Sequence, residues 1–280
     1  MTTTGQPAII RSVLTVKHKE YLTPRYIKIT LTGDEVLKFA NTTIGINNKI
    51  FIAPRGINEI HFPKVDDAGN IVAVDDHLKP IVRTYTHRGI DLAKKEMYIE
   101  FVAHGDEGPA SAWAISAKPG DKLGVAMKDT KAALYPKADW YLLLVADATG
   151  IPVIASILEN LPKTAKAQVL IEVQDKSDLQ FFQSEATVHV EWLYHPKPGE
   201  NNLLFEAVQN INLPDESVAR FAYVAAEFSS VKNIRQYLRK DLNWQQQELY
   251  AYSYWKHGAS EDGSVKDRQH EKKTPYNQFI

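Results

Sequence analysis

The stretch "WYLLLVADATGIPVIASILENLP", residues 140–162, decides the architecture. Tyr141 to Ala146 is an unbroken apolar run, short enough to be one fully buried strand. Asp147 to Gly150 then breaks it with polar and flexible residues. Pro152 stands where a helix can accept a proline, near its first turn, and the apolar positions that follow are closed off by Pro162. A buried strand, a tight turn and a helix form the opening of a β–α–β unit. The Asp, Gly and Pro inside the stretch argue against a membrane span.

Downstream the rhythm continues. "KAQVLIEVQ" (166–174) and "TVHVEWLYH" (187–195) read as strands, "NLLFEAVQNI" (202–211) as a helix and "ARFAYVAAE" (219–227) as a strand. "SSVKNIRQYLRKDLN" (229–243) reads as a helix and "QQELYAYSYWKHG" (246–258) as a final strand. Strands alternating with helices predict a mostly parallel sheet covered by helices.

Upstream the pattern is different. "IIRSVLTVKHKEYLTPRYIKITLTG" (9–33) gives two β-rich runs broken around Thr23–Pro24. "NNKIFIAP" (47–54), "IVRTYTHRG" (81–89), "EMYIEFVAHG" (96–105) and "DKLGVAM" (121–127) are further strands, with one helix in "GPASAWAISAKPG" (108–120). Short strands separated by turn signals predict an antiparallel β-barrel or sandwich. The expected organisation is therefore a β domain over residues 1–136 and an α/β domain over 137–262, with the boundary near "LYPKAD" (134–139). Residues 263–280 form a polar tail, either disordered or a short helix ending before Pro275.

Composition narrows the chemistry. The 280 residues carry a net charge of −1 with both signs mixed, so nothing suggests a generic nucleic-acid binder. There are no cysteines, which excludes disulfides, thiolate-bound zinc or iron–sulfur clusters and a Cys nucleophile. The nine histidines are scattered, with no His-x-x-x-His or His-x-His pair, and no metal site is expected. No Gly-x-Ser-x-Gly elbow is present. The start, "MTTTGQPAIIRS", lacks a basic segment followed by an apolar core, so a cytoplasmic protein without membrane insertion is expected, and a monomer.

Two stretches hold candidate binding groups. In "RTYTHR" (83–88), strand alternation puts Arg83, Tyr85 and His87 on one face and Thr84, Thr86 and Arg88 on the other. A guanidinium suits phosphate oxygens, and a tyrosine two residues on is a flat surface for a conjugated ring. By itself the stretch reads more simply as a solvated strand edge. In "HGDEGPASAWA" (104–114), two glycines lead into a helix start, whose N–H groups can receive an anion. By itself that too is an ordinary loop.

In combination they resemble something specific. Arg-x-Tyr-Thr followed by Gly-x-x-Gly-Pro-Ala-Ser before a helix resembles the FAD site of the siderophore-interacting protein family, within the ferredoxin–NADP reductase-like flavoproteins. "ADATGIPVIASILENLP", "AYVAAEFSSVKNIRQYL" and "YAYSYWKHGASED" resemble that family's later motifs, in the same order. The resemblance implies that Arg83 pairs with the FAD phosphates and that Thr84, Tyr85 and Thr86 line the flavin. It further implies that His104 and Gly105 border the flavin, that Gly108, Ala110 and Ser111 cradle the pyrophosphate, and that Asp147, Thr149 and Trp255 stand near the cofactor's edge. The implied activity is reduction of Fe(III) in a ferric siderophore to Fe(II). Electrons would come from NADH, NADPH or a reduced ferredoxin. Arg88, Lys128, Lys131, Lys256 and His257 are the candidate cations for an anionic ferric chelate. A general flavin reductase and a non-enzymatic siderophore-binding module are the alternatives. His87 stands where the family often has proline, and is expected to titrate near neutrality.

Overall fold

The computed structural model describes residues 7–65, 71–72, 74–106, 108–136, 140–259 and 263. The polar tail anticipated after residue 262 lies outside these residues apart from Gly263, as does part of the 134–139 boundary. The chain divides into two compact units, Met1–Ala132 and Ala133–Ile280.

The first unit is antiparallel. Its strands are β1 (Ile9–Thr23), β2 (Tyr26–Thr32), β3 (Asn47–Ile52), β4 (Lys64–Val65), β5 (Ile71–Val72), β6 (Ile81–Thr86), β7 (Gly89–Asp91), β8 (Glu96–Val102) and β9 (Lys122–Lys128), with helix α1 (Pro109–Ser116) between the last two. Seven of them form one sheet in the order β6-β3-β9-β1-β2-β8-β7. β6 and β7 are the two ends of that order, yet they are joined in sequence by His87 and Arg88 alone. The Arg88 N–H donates to the Tyr98 carbonyl at 3.1 Å, so the chain steps from β3's side directly onto β8 and curls the sheet into a barrel. Leu14, Ile27, Ile29, Leu31, Ile50, Met97, Ile99, Phe101, Leu123 and Val125 fill it, all fully buried. β1 is a single strand of 15 residues, with register shifts between Val16 and His18 and between Tyr21 and Thr23. Such bulges add the bend and twist that closure requires. The short β7 and a 3-10 turn over Asp34–Phe39 carried no clear sequence signal.

The second unit has β10 (Tyr141–Asp147), α2 (Ile151–Glu159), β11 (Lys166–Val173), β12 (Thr187–Tyr194), α3 (Leu203–Asn210), β13 (Arg220–Glu227), α4 (Phe228–Gln236) and β14 (Leu249–Trp255). All four strand pairings are parallel, in the order β12-β11-β10-β13-β14. The central strands β10, β11 and β13 are almost wholly buried, which is why they read as continuous apolar runs. The helix expected over 229–243 ends as an α-helix at Gln236 and continues as a π turn to Asp241. No helix among the described residues is long and apolar enough to cross a membrane.

Candidate functional site

In the first unit the site is built on the edge strand. Among the described residues β6 pairs only with β3, with Arg83 opposite Ile50 and Tyr85 opposite Asn48. Ile50 and Asn48 are buried, so Arg83 and Tyr85 share the inward face, as the alternation predicted, while His87 lies past the end of β6. The Tyr85 ring lies 4.5 Å from Phe101 of β8, centroid to centroid, and Phe101 lies 5.6 Å from Trp113 of α1. This aromatic row draws β6 up to the strand and helix that follow it. The Arg83 guanidinium is half-buried and donates through Nη1 to the Val82 carbonyl at 2.8 Å. Thr84 faces the other way and meets the Lys49 ammonium, while Thr86 is buried.

After β8 the chain turns into α1. Gly105 has φ 95°, a left-handed backbone that glycine adopts without strain. At Gly108 a Cβ would stand 2.5 Å from the far end of the exposed His104 side chain, which can turn aside. The Ser111 hydroxyl is buried, accepts the His104 N–H at 3.0 Å and donates to the Gly105 carbonyl at 2.7 Å. Ser111 therefore braces the loop. Helical bonding begins with the Ala112 N–H on the Gly108 carbonyl at 2.9 Å, so the N–H groups of Ala110 and Ser111 have no acceptor within the helix. That leaves partial positive charge at the end of α1.

His87 corrects an expectation. Its N–H donates to Ile46 O and its carbonyl accepts from Gly45, fixing the bend between β6 and β7. The ring is fully buried and neither nitrogen has a hydrogen-bond partner among the described residues. Burial, with the Lys131 ammonium nearby, pushes its pKa down to about 4, so it stays neutral at physiological pH. The candidate cations are dispersed. Arg88 is committed to an ion pair with Glu100, Nε to Oε1 3.2 Å, with both side chains largely buried, which removes it from the substrate set. Lys131 holds the Thr42 carbonyl at 2.6 Å, and Lys128 is exposed at the end of β9.

In the second unit three carboxylates gather at the C-terminal ends of adjacent strands: Asp147 of β10, Glu172 of β11 and Glu227 of β13, all buried. Asp147 accepts from the Thr149 N–H at 2.8 Å, the Thr149 hydroxyl at 2.5 Å, the Trp255 indole N–H at 2.6 Å and the Glu227 N–H. Burial nonetheless raises its pKa above the ordinary aspartate value. Glu172 is raised as well, by burial first and then by its acidic neighbours, against one donor, Asn201 at 2.8 Å. Glu227 caps α4 through the N–H groups of Ser229 (2.5 Å) and Ser230 (3.4 Å) and accepts the His257 N–H at 3.1 Å. His257 Nε2 stands 3.5 Å from Glu200, and the Lys256 ammonium lies 5.0 Å from the centre of the Phe228 ring. Open parallel sheets bind ligands outside the carboxyl ends of their strands, where the strand order reverses. Here that point falls between β10 and β13, at Asp147 and Glu227. Sequence reading named Asp147, Thr149 and Trp255 but missed Glu172, Glu227 and Asn201. The local signal for the two glutamates was an acid at or next to the end of an apolar run.

An antiparallel β-barrel unit followed by a parallel five-stranded α/β unit is the ferredoxin–NADP reductase-like fold. Two ferredoxin–NADP+ reductases of known structure, at 14% and 10% identity, share that fold with TM-scores of 0.55 and 0.60. The chain belongs to the siderophore-interacting protein family. Residues 15–130 match the siderophore-interacting FAD-binding domain, and residues 138–258 match the siderophore-interacting protein domain. Ferric vibriobactin reductase ViuB of Vibrio cholerae is 29% identical over 250 residues, 89% of this chain and 91% of that protein. The NADPH-dependent ferric-chelate reductase of Escherichia coli is 29% identical over 248 residues, 86% and 91% of the two chains. The crystal structure of a siderophore utilization protein from T. fusca superposes with a TM-score of 0.81 at 27% identity, covering 91% of this chain and 96% of that one.

Proposed function

We propose that the chain is an FAD-dependent reductase that converts the Fe(III) of a ferric siderophore to Fe(II) in the cytoplasm. The observation that carries this is the aromatic row Tyr85–Phe101–Trp113, which sets the arginine-bearing edge strand beside the open N-terminus of α1. A half-buried guanidinium and two helix N–H groups without an acceptor in the helix fit a pyrophosphate, and the neighbouring tyrosine fits a conjugated ring. Bound FAD supplies the conversion between a two-electron donor and a one-electron acceptor.

The chain's own residues do the rest. Arg83 and the N–H groups of Ala110 and Ser111 hold the phosphates, with Gly105 and Gly108 keeping the backbone close. Tyr85 supports the ring, and Thr84 and Thr86 frame it. His104, exposed over Gly108, borders the opening. Asp147, Thr149 and Trp255 shape the carboxyl end of the second unit's sheet. Lys128 and Lys131 are the first unit's candidate cations for an anionic ferric chelate, and Lys256 and His257 are the second unit's. Oxygen donors grip hard Fe(III) better than Fe(II), so reduction releases the metal. NADPH is the donor we favour, on the likeness to the E. coli enzyme, with NADH and a reduced ferredoxin as the other candidates.

The test is anaerobic. The FAD-loaded protein is mixed in turn with NADPH, NADH and a reduced ferredoxin, then with a ferric siderophore or with free flavin, while visible absorbance follows the flavin and a ferrous chelator traps the iron. Bleaching by a donor, reoxidation by the siderophore and stoichiometric Fe(II) are expected. Failure to bind FAD, or turnover with free flavin and none with ferric siderophores, would overturn the proposal.

A further inference from the structure

We infer that this chain forms a two-fold symmetric dimer in which β12 pairs antiparallel with β12 of a second copy, a conclusion independent of the redox reaction. β12 ends the parallel sheet, and its eight residues, Thr187–Tyr194, pair with β11 without a single register shift. Natural edge strands are commonly blunted by lysine, proline, a bulge or short length. "TVHVEWLY" has none of these, and Glu191 is its only acidic or basic residue apart from His189. Among the described residues no strand pairs with its outer side.

The hydrogen-bond phase of β12 is known. The Thr187 N–H donates to Ala165 O at 3.1 Å and the His195 N–H to Val173 O at 3.0 Å, so odd-numbered residues turn their backbone groups toward β11. Val188, Val190, Trp192 and Tyr194 turn theirs outward. A two-fold axis through Val190 then joins Val190 to the partner's Val190 and Val188 to the partner's Trp192 as hydrogen-bonded pairs. His189 falls opposite the partner's Glu191, twice by symmetry, at the non-hydrogen-bonded positions where side chains come closest. An imidazole N–H can donate to a carboxylate in either protonation state. The neighbouring registers that keep the same bonding phase are worse. One sets His189 against His189 and the other sets Glu191 against Glu191. Charge complementarity thus selects one register and makes the contact self-complementary, as a closed dimer needs.

The face that carries Val188, Val190 and Trp192 is apolar and extends beyond the strand. Phe182 stacks on Trp192 at 5.7 Å, Phe181 beside it is 92% exposed, and Leu179 is exposed as well. Pairing two such edges covers these residues.

Sedimentation equilibrium of the full chain over a concentration series reads the result. Twice the chain mass is expected at high concentration. Val190→Pro removes an N–H that points away from β11, so it should leave the fold intact and yield monomer. Glu191→Lys replaces two favourable pairs with two unfavourable ones and should weaken the dimer about tenfold or more. Adding His189→Glu to Glu191→Lys restores opposite charges at both positions and should recover the dimer, an outcome that a general folding defect would not give. Monomer at every concentration would overturn the inference, and so would a dimer indifferent to both single changes.

Discussion

Replacing Trp255 by phenylalanine tests whether the carboxylate cluster at the end of the parallel sheet is held by its donors. The change keeps an aromatic ring and deletes one N–H. Asp147 is only 4% exposed, and the indole N–H 2.6 Å away is one of four donors on it. A hydrogen bond to a charged group contributes about 1.5–3 kcal/mol. At roughly 2–4 °C per kcal/mol for a chain of this size, the melting temperature should fall by roughly 3–12 °C. The dependence on pH has a definite sign. Burial raises the Asp147 pKa in the folded protein, and losing a donor raises it further. The folded state then keeps a proton that the unfolded state releases, so stability declines as pH climbs from the ordinary aspartate value through the raised one. The deficit of Trp255→Phe should therefore be largest at neutral pH and shrink toward acid. Thermal melts of the wild type, Trp255→Phe, Asp147→Asn and the double variant separate the bond from the lost ring volume. The coupling between the two sites should be about 1 kcal/mol, the difference between a charged and a neutral bond. An unchanged melting temperature, or a deficit that is flat with pH, would refute the role assigned to this bond.

Two further outcomes follow from the first unit. Arg83→Ala should weaken FAD binding about tenfold to a hundredfold through loss of a charge-assisted contact, measured by flavin fluorescence during titration of the apoprotein; full retention would displace the site from β6. His87→Leu bears on acid stability. The folded pKa of His87 is about 4 against an ordinary 6.5, so the unfolded chain takes the proton first, and the wild type loses about 3 kcal/mol as pH falls across that window. The leucine variant should lose that slope in urea melts repeated between these two pH values, and an identical slope in both proteins would mean that His87 is not the group responsible.

The candidate cofactor motif was legible in the chain because its parts are local. Arg83 and Tyr85 are two residues apart on one strand, and Gly105, Gly108 and Ser111 lie within one turn of a helix start. Their roles were less legible. Ser111 looked like a hydroxyl donor to phosphate, but its hydroxyl proton goes to the Gly105 carbonyl, so only its N–H is left for that role. Arg88 looked like a substrate cation, but Glu100 sits across from it on the barrel wall. His87 looked like a titrating group at an open strand end, whereas the bend turns its ring into the core. For Arg88 the partner comes from another strand, and for Ser111 and His87 from a bend of the backbone that local spacing does not encode.

The same distinction runs through the whole molecule. The sequence by itself determined the succession of antiparallel and parallel halves, because strand burial on one face or on both leaves a periodicity within a few residues. It also determined the candidate phosphate grip and the absence of thiol chemistry. Only the tertiary structure decided which charges remain available and which are consumed by folding. It alone brought Asp147, Glu172 and Glu227 onto one sheet end, and set the bonding phase of β12. The physical reason is that burial and long-range pairing fix the electrostatic state of a side chain, and both arise only when distant segments meet.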